Sequence, residues 1–405
     1  MPIGDLASDT LAVLLAGGNG TRLDPLTRHI CKPALPFGAA FRSIDFTLSN
    51  CVNSGVGGVG VATQYKPASL LEHLAETWIG ATGNATTIVP WRAEEVASAT
   101  GYRGTADAVY RNLERIDSLD PRLVLVLAGD HVYKMDYWPM LEEHCARGAD
   151  VTVGCIEMPV EDARHFGVLA TASDGRIERF VEKPRSKAEL PATAGAAVLA
   201  SMGIYVFDAD FLKRVLAQDA VAPGSRHDFG ADILPKLAGH ARAFAHAFRD
   251  ADGSHPPYWR DIGTLRAYWQ AHMDLLGPKP LLTLDDASWR IGTVAVPPRS
   301  ISSALTTARG GTIEDSIAGT RCSVAGCVLR SVLFDGVDIG RGATVVDSVI
   351  LPGARIGAGS RLRGVIVDAA CRVTEGAVLE RDDSVMEPLV FASDGRREET
   401  YALTG

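Results

Sequence analysis

The chain has 405 residues, 46% hydrophobic and 22% charged, with a net charge of −9. That length exceeds one compact core and predicts two domains, while the acidic balance excludes the broad basic face that a nucleic-acid partner needs. No run of about 18 apolar residues is present to span a bilayer, the acidic Met1–Thr10 stretch is not a secretory signal, and seven cysteines without CxxC spacing read as free thiols of a cytoplasmic protein.

In chain order, the apolar run Leu11–Leu15 leads into Ala16-Gly17-Gly18-Asn19-Gly20-Thr21-Arg22, and Lys32-Pro33-Ala34 follows. Glycines at 17, 18 and 20 let the backbone turn tightly and point successive N–H groups at one anion. Arg22 and Lys32 add positive charge where a triphosphate would lie. Taken alone, the loop also reads as an ordinary strand-to-helix turn. It is neither a Walker loop nor a dinucleotide fingerprint, because both Gly-Lys-Ser/Thr and the third spaced glycine are missing.

Further apolar runs at Val56–Thr63, Leu123–Leu127, Val151–Ile156 and Met202–Val206 alternate with helical patterns at Ser69–Trp78, Ala106–Ile116 and Trp138–Ala146. Such alternation predicts an α/β domain with a mostly parallel sheet, in which ligands sit beyond the carboxyl ends of the strands. The glycine loop and Gly129-Asp130-His131 both follow strands and belong on that rim. Asp130 also reads as the N-cap of a following helix. Lys183, in Phe180-Val181-Glu182-Lys183-Pro184, suits an acceptor phosphate and Glu182 suits ring hydroxyls, although the two also read as a solvated surface pair. Asp261, in Tyr258-Trp259-Arg260-Asp261-Ile262-Gly263-Thr264, reads by itself as a turn residue.

The C-terminal part is periodic. Leu333, Ile339, Val345, Ile350, Ile356, Leu362, Val367, Val373 and Leu379 are spaced 6, 6, 5, 6, 6, 5, 6 and 6 residues apart. A repeat of about seventeen residues, one aliphatic per flat face, predicts a β-solenoid of hexapeptide turns rather than a sandwich. Its exposed face is expected to bind a partner subunit or the catalytic domain. The proline-rich stretch between them reads as a linker, giving domains at 10–277 and 304–385, a linker at 278–303 and a tail at 386–405.

The glycine loop with Lys32-Pro33-Ala34 resembles the signature of sugar-1-phosphate nucleotidylyltransferases. The resemblance to the ADP-glucose pyrophosphorylase family runs nearly end to end, through Phe41–Cys51, Tyr102-Arg103-Gly104-Thr105-Ala106-Asp107-Ala108, His227-Asp228-Phe229-Gly230 and Tyr258–Thr264. It implies a Rossmann-like nucleotidyltransferase domain followed by a left-handed parallel β-helix. The implied reaction is attack of a sugar 1-phosphate on the α-phosphorus of a nucleoside triphosphate, with ATP and glucose 1-phosphate giving ADP-glucose for glycogen biosynthesis. A phosphate oxygen is already deprotonated at neutral pH, so cations and metal-binding carboxylates are needed rather than a triad.

Residue by residue, the resemblance implies catalytic roles for Arg22, Lys32 and Asp130. It implies nucleotide binding by Leu15, Ala16, Gly17, Gly18, Gly20, Thr21, Arg22, Tyr102, Gly104, Thr105 and Asp130. Acceptor binding falls to Tyr102, Gly167, Glu182, Lys183, Ser201 and Asp261, and Mg²⁺ to Asp130 and Asp261. A homo-oligomer, dimer or tetramer, is also implied.

Three departures from the family pattern stand out. Ile30 and His29 replace the basic residues before Lys32, which suits a sugar-phosphate activator poorly. Val89-Pro90-Trp91-Arg92-Ala93-Glu94-Glu95 lacks the base-reading glutamine; a carboxylate at Glu94 or Glu95 would favour guanine, or the two are a solvated pair. The C-terminal segment ending Tyr401–Gly405 lacks a basic extension. The alternative reading is therefore a pathway-specific enzyme for a cyclitol phosphate such as valienol 1-phosphate, using ATP or GTP. A solenoid acyltransferase would want a histidine near its coils, and all ten histidines lie at or before His272. A catalytically silent regulatory subunit is disfavoured because Arg22, Lys32, Asp130, Lys183 and Asp261 are all retained.

Overall fold

The computed structural model describes residues 4–80, 85–97, 101–190, 197–249, 257–292, 301–306, 310–382, 384–393 and 400–403. The expected linker at 278–303 and tail at 386–405 lie partly outside the described residues. The chain divides into two compact units: Met1–Gly18, Thr47–Gly129 and Lys134–Pro257 form the first, while Asn19–Phe46, Asp130–Tyr133 and Tyr258–Gly405 form the second.

The first unit is built on a nine-stranded sheet. Its strands are β1 (Thr10–Ala16), β2 (Gly58–Thr63), β3 (Thr87–Arg92), β4 (Leu123–Ala128), β5 (Val151–Pro159), β6 (Gly167–Thr171), β7 (Ile177–Glu182), β8 (Ala197–Asp208) and β9 (Ala243–Ala247). The spatial order is β7-β6-β8-β4-β1-β2-β3, with β5 on β8 and β9 on β5. Around β1 all pairing is parallel, from β4 through β1 and β2 to β3. The long β8 runs antiparallel to β4, β5 and β6. Strands β1 and β4 are buried along almost their whole length, which explains their unbroken Val/Leu runs.

The helix expected over Ala106–Ile116 is in fact two, α1 (Thr105–Tyr110) and Leu113–Leu119. The break coincides with Asn112, whose buried amide donates to Ala108 O at 2.8 Å and to the Tyr102 hydroxyl at 3.0 Å. Asp130 does not precede a helix directly: a short strand, His131–Tyr133, intervenes before the helix at Trp138–Ala146.

The second unit contains the expected left-handed parallel β-helix. Val328, Val345, Leu362 and Leu379 stack in register seventeen residues apart, and the first rung, Ile313 on Val328, is two residues shorter. Of the nine periodic aliphatics only Leu379 is incompletely buried. At one corner Asp315, Arg330, Asp347 and Gly364 take left-handed backbone conformations in successive coils. The serines beside them form a ladder: the Oγ atoms of Ser316, Ser331 and Ser348 accept the N–H groups of Ser331, Ser348 and Val365 at 3.0 to 3.1 Å.

One face of the solenoid is apolar on both sides. Val332, Val349 and Ile366 project away from the coil interior and join a core with Leu23, Leu35, Phe37, Tyr268, Trp269 and Leu275. Helix α3 (Leu265–Met273) is tied there by Trp269 Nε1–H donating to Asp347 O at 2.8 Å. The solenoid, helix α3 and the segment carrying Arg22 and Lys32 thus share one hydrophobic core.

Candidate active site

In the second unit, Lys32 opens a short turn, Lys32–Ala34, whose carbonyls at 32 and 33 accept the Ser43 hydroxyl. Its side chain is only 8% exposed, and its Nζ sits 2.6 Å from Asp130 Oδ2 and 2.7 Å from Asp261 Oδ1. Asp130 follows β4. Asp261 arrives from far along the chain because Trp259–Asp261 pairs antiparallel with His131–Tyr133, setting Asp261 opposite His131.

Arg260 lies between Trp259 and Asp261, so strand alternation points it the other way. It bonds buried Asp274 at 3.1 Å, and Asp274 also accepts the Tyr258 hydroxyl at 3.0 Å. This second ion pair fixes the strand that presents Asp261.

Burial works against the Lys32 ammonium, but the two aspartates outweigh it and raise its pKa above the ordinary lysine value. Burial likewise opposes ionisation of Asp130, yet Lys32 and then His131 hold that carboxyl down to about 2. Lys32 is therefore held as the cation and Asp130 as its anionic partner. Arg22 is exposed beside it: a Cβ placed on Gly263 would lie 3.0 Å from Arg22 Nη2 and 2.9 Å from Asp261 Oδ1. Gly263, unremarked in the sequence reading, keeps that space clear.

Two convergent carboxylates are hard oxygen donors of the number Mg²⁺ takes from protein, with phosphates and water completing the shell. Among the described residues no third acidic, histidine or cysteine side chain joins them to make a protein-only cage. The donor set fits Mg²⁺ delivered with a phosphate ligand.

In the first unit, Leu15 and Ala16 end β1, and Gly17 and Gly18 follow, with Gly18 exposed. Gly17 packs on Gln64, which also fixes the Tyr102 backbone: Tyr102 N–H donates to Gln64 Oε1 at 3.1 Å, and Gln64 Nε2 donates to Tyr102 O. Gln64 is a second contact that sequence reasoning missed. Gly104 and Thr105 open α1. The division between units falls just after Gly18, so Gly20, Thr21 and Arg22 belong with Lys32.

Glu182 ends β7. Its Oε2 would lie 2.9 Å from a Cβ on Gly167 and 2.6 Å from one on Gly230, so two glycines make room for this carboxylate. Lys183, whose side chain is 64% exposed, reaches back to Glu182 at 3.0 Å. Ser201 is buried at a bulge in β8, where its Oγ accepts Gly203 N–H at 3.2 Å; bulges of this kind re-aim side chains.

Among the departures, Ile30 packs against the core of the second unit and His29 is exposed. The Glu95 carboxylate is bound to Arg115 at 2.6 Å, and Glu94 is 74% exposed. All seven cysteines are free, with 31, 51, 155 and 371 buried and Cys327 exposed. Among the described residues no helix is long and apolar enough to cross a membrane.

Residues 11–277 match the family model described as nucleotidyl transferase, and residues 297–386 match the GlmU-like C-terminal hexapeptide model. The chain is 46% identical to glucose-1-phosphate adenylyltransferase 2 of Alkalilimnicola ehrlichii, over 93% of this chain and 90% of the relative. It is 44% identical to glucose-1-phosphate adenylyltransferase of Methylococcus capsulatus, over 92% and 89%. The same-named protein of Nitrosomonas europaea is 45% identical, over 92% and 88%.

Proposed function

This chain belongs to the nucleotidyl transferase family, and from that membership we propose the reaction of its named relatives: ATP and glucose 1-phosphate give ADP-glucose and pyrophosphate. A phosphate oxygen of glucose 1-phosphate attacks the α-phosphorus of ATP. The new P–O bond forms as the bond from the α-phosphorus to the bridging oxygen breaks, and the electron pair leaves on pyrophosphate. The nucleophile arrives as an anion, so the protein aligns charge and supplies no base.

The observation that carries this reading is Lys32 held between Asp130 and Asp261. Lys32 and Arg22 would bind the reacting phosphates, the N–H groups of Gly17, Gly18 and Gly20 the triphosphate, and Leu15, Ala16, Thr21, Tyr102, Gly104 and Thr105 the rest of the nucleotide. Asp130 and Asp261 would hold Mg²⁺. When bound, that ion supplies charge neutralisation for the triphosphate. Lys183 would grip the acceptor phosphate, with Glu182 accepting from its ring hydroxyls beside Gly167, Ser201 and Tyr102.

As a functional division, 10–277 carries the transfer chemistry and 304–385 the solenoid, which the extents of the two family matches support. We also infer a homo-oligomer, supported by the exposed Val378, Val385 and Met386 toward the end of the solenoid. A cytoplasmic location is supported by the free thiols. Size-exclusion chromatography with light scattering tests the assembly.

The activity test is pyrophosphate release with Mg²⁺, crossing ATP and GTP with glucose 1-phosphate and valienol 1-phosphate. Turnover is expected to be greatest for ATP with glucose 1-phosphate. Preference for GTP or for the cyclitol phosphate would replace the proposed substrate pair.

A further inference from the structure

In the first unit, one turn touches both substrate-facing groups, and its shape is held by a buried pair that the reaction does not use. Helix α2 (Ala209–Ala220) carries Asp219, which is 5% exposed. Asp219 Oδ1 accepts the Ser225 hydroxyl at 2.7 Å, and Oδ2 lies 2.9 Å from His227 Nδ1. The Ser225 Oγ in turn accepts His227 N–H at 3.0 Å. These three bonds clamp His227 with φ at +57°, a left-handed conformation that a non-glycine residue adopts only when its surroundings enforce it.

The consequence lies on the other side of the turn. The His227 carbonyl accepts the N–H groups of Ala106 at 2.8 Å and Asp107 at 3.3 Å. Gly104 lies so close that a Cβ there would stand 2.3 Å from the same oxygen. Asp228 accepts the Thr105 hydroxyl at 3.0 Å, and Thr105 Oγ1 accepts Phe229 N–H at 2.9 Å. Two residues further, Gly230 lies against the Glu182 carboxylate. One turn therefore anchors the Gly104–Thr105 loop and borders the acceptor-side glutamate.

We propose that Asp219 and His227 are positioning residues for nucleotidyl transfer, setting through this turn the loop that receives the nucleotide and the space beside Glu182 that receives the acceptor. The inference rests on the functional reading above and adds two residues that bond the turn and neither reactant. His227→Ala removes the bond to Asp219, while His227→Asn retains a short donor and tolerates the left-handed conformation. Asp219→Asn, nearly isosteric, provides a second variant if His227→Ala fails to fold.

Steady-state kinetics on the full chain are expected to show KM rising about tenfold for both ATP and glucose 1-phosphate, with kcat changed far less, as for lost uniform binding. His227→Asn is expected to recover most of the loss. Arg242→Ala, which removes an exposed ion pair to Asp150 in the same unit, serves as the structural control and is expected to leave both KM values unchanged. Unchanged KM values in His227→Ala and Asp219→Asn, or a rise for one substrate alone, would overturn the proposal.

Hydrogen exchange of the unliganded protein separates this idea from the substrate assignment. Faster exchange at the amides of Ala106 and Asp107 in His227→Ala supports the anchoring even if the wild-type chain prefers another substrate pair; unchanged exchange refutes it whatever the substrate.

Discussion

The two units each present a lysine beside carboxylate, built in opposite ways. Lys32 is nearly buried and touches two aspartates at 2.6 and 2.7 Å, whereas Lys183 is 64% exposed and lies 3.0 Å from Glu182. Burial of the Lys32 side chain strengthens the field of the first cluster, which suits stabilising charge that moves during bond exchange. Exposure leaves the second pair free to exchange its partner for an incoming anion. On the proposed site assignment, Lys32 would supply fixed charge for the chemical step and Lys183 exchangeable charge for recognition, a difference set by their burial.

The largest effect that would sharpen this contrast is expected from Lys32→Ala. It leaves two carboxylates in a largely buried site without their cation, a loss of about 3–5 kcal/mol in stability, and denaturant unfolding measures it. Turnover should fall with it by about 10³-fold.

A buried polar group without charge extends the comparison. His272 is fully buried in the second unit; its Nδ1–H donates to Tyr268 O at 2.8 Å and its Nε2 accepts Gly38 N–H at 3.3 Å. Burial drives its pKa down to about 4, against a weaker upward pull from the Tyr268 carbonyl. The unfolded chain therefore takes up this proton first as pH falls. The stabilisation is whole above about pH 6.5 and is lost progressively toward pH 4, by about 3 kcal/mol. Unfolding free energies measured across that window should fall with a slope of about one proton from this site. His272→Gln should reduce the slope by about one proton, leaving the part due to His144, whose pKa burial also lowers to about 4; an unchanged slope would show that His272 does not contribute.

The exposed side of the comparison predicts a change in recognition with little change in stability. Lys183→Ala should raise KM for glucose 1-phosphate roughly 10- to 100-fold, as expected for one charge-assisted hydrogen bond, while leaving the thermal transition and KM for ATP nearly unchanged. A loss of stability like that of Lys32→Ala would erase the distinction.

The solenoid was the most legible part of the chain, because each coil buries one aliphatic per face and the period survives in the sequence. Its doubly buried face was also written there, in Val332-Leu333-Phe334, Val349-Ile350-Leu351 and Val365-Ile366-Val367, where the other faces alternate as in Arg361-Leu362-Arg363. That unbroken apolarity is the signature of burial on both sides. The individual members of the lysine cluster were legible as motifs, but their convergence was not. It depends on pairing two three-residue strands, too short for any periodicity to mark. The break at Asn112 was hidden for a similar reason, since the partner that holds its amide, Tyr102, lies ten residues away outside the helix. Gln64 and Gly263 act through space they fill or leave empty, and neither carries a local sequence signal.

The most direct test of the central claim is pyrophosphate release from ATP and glucose 1-phosphate by Asp130→Asn, measured beside its unfolding transition. The substitution keeps the shape of the side chain and leaves Lys32 paired with Asp261. Turnover lower by at least about 10³-fold, with a near-native transition, is the expected result. Turnover close to that of the wild-type chain would contradict the assignment of this cluster as the centre of nucleotidyl transfer.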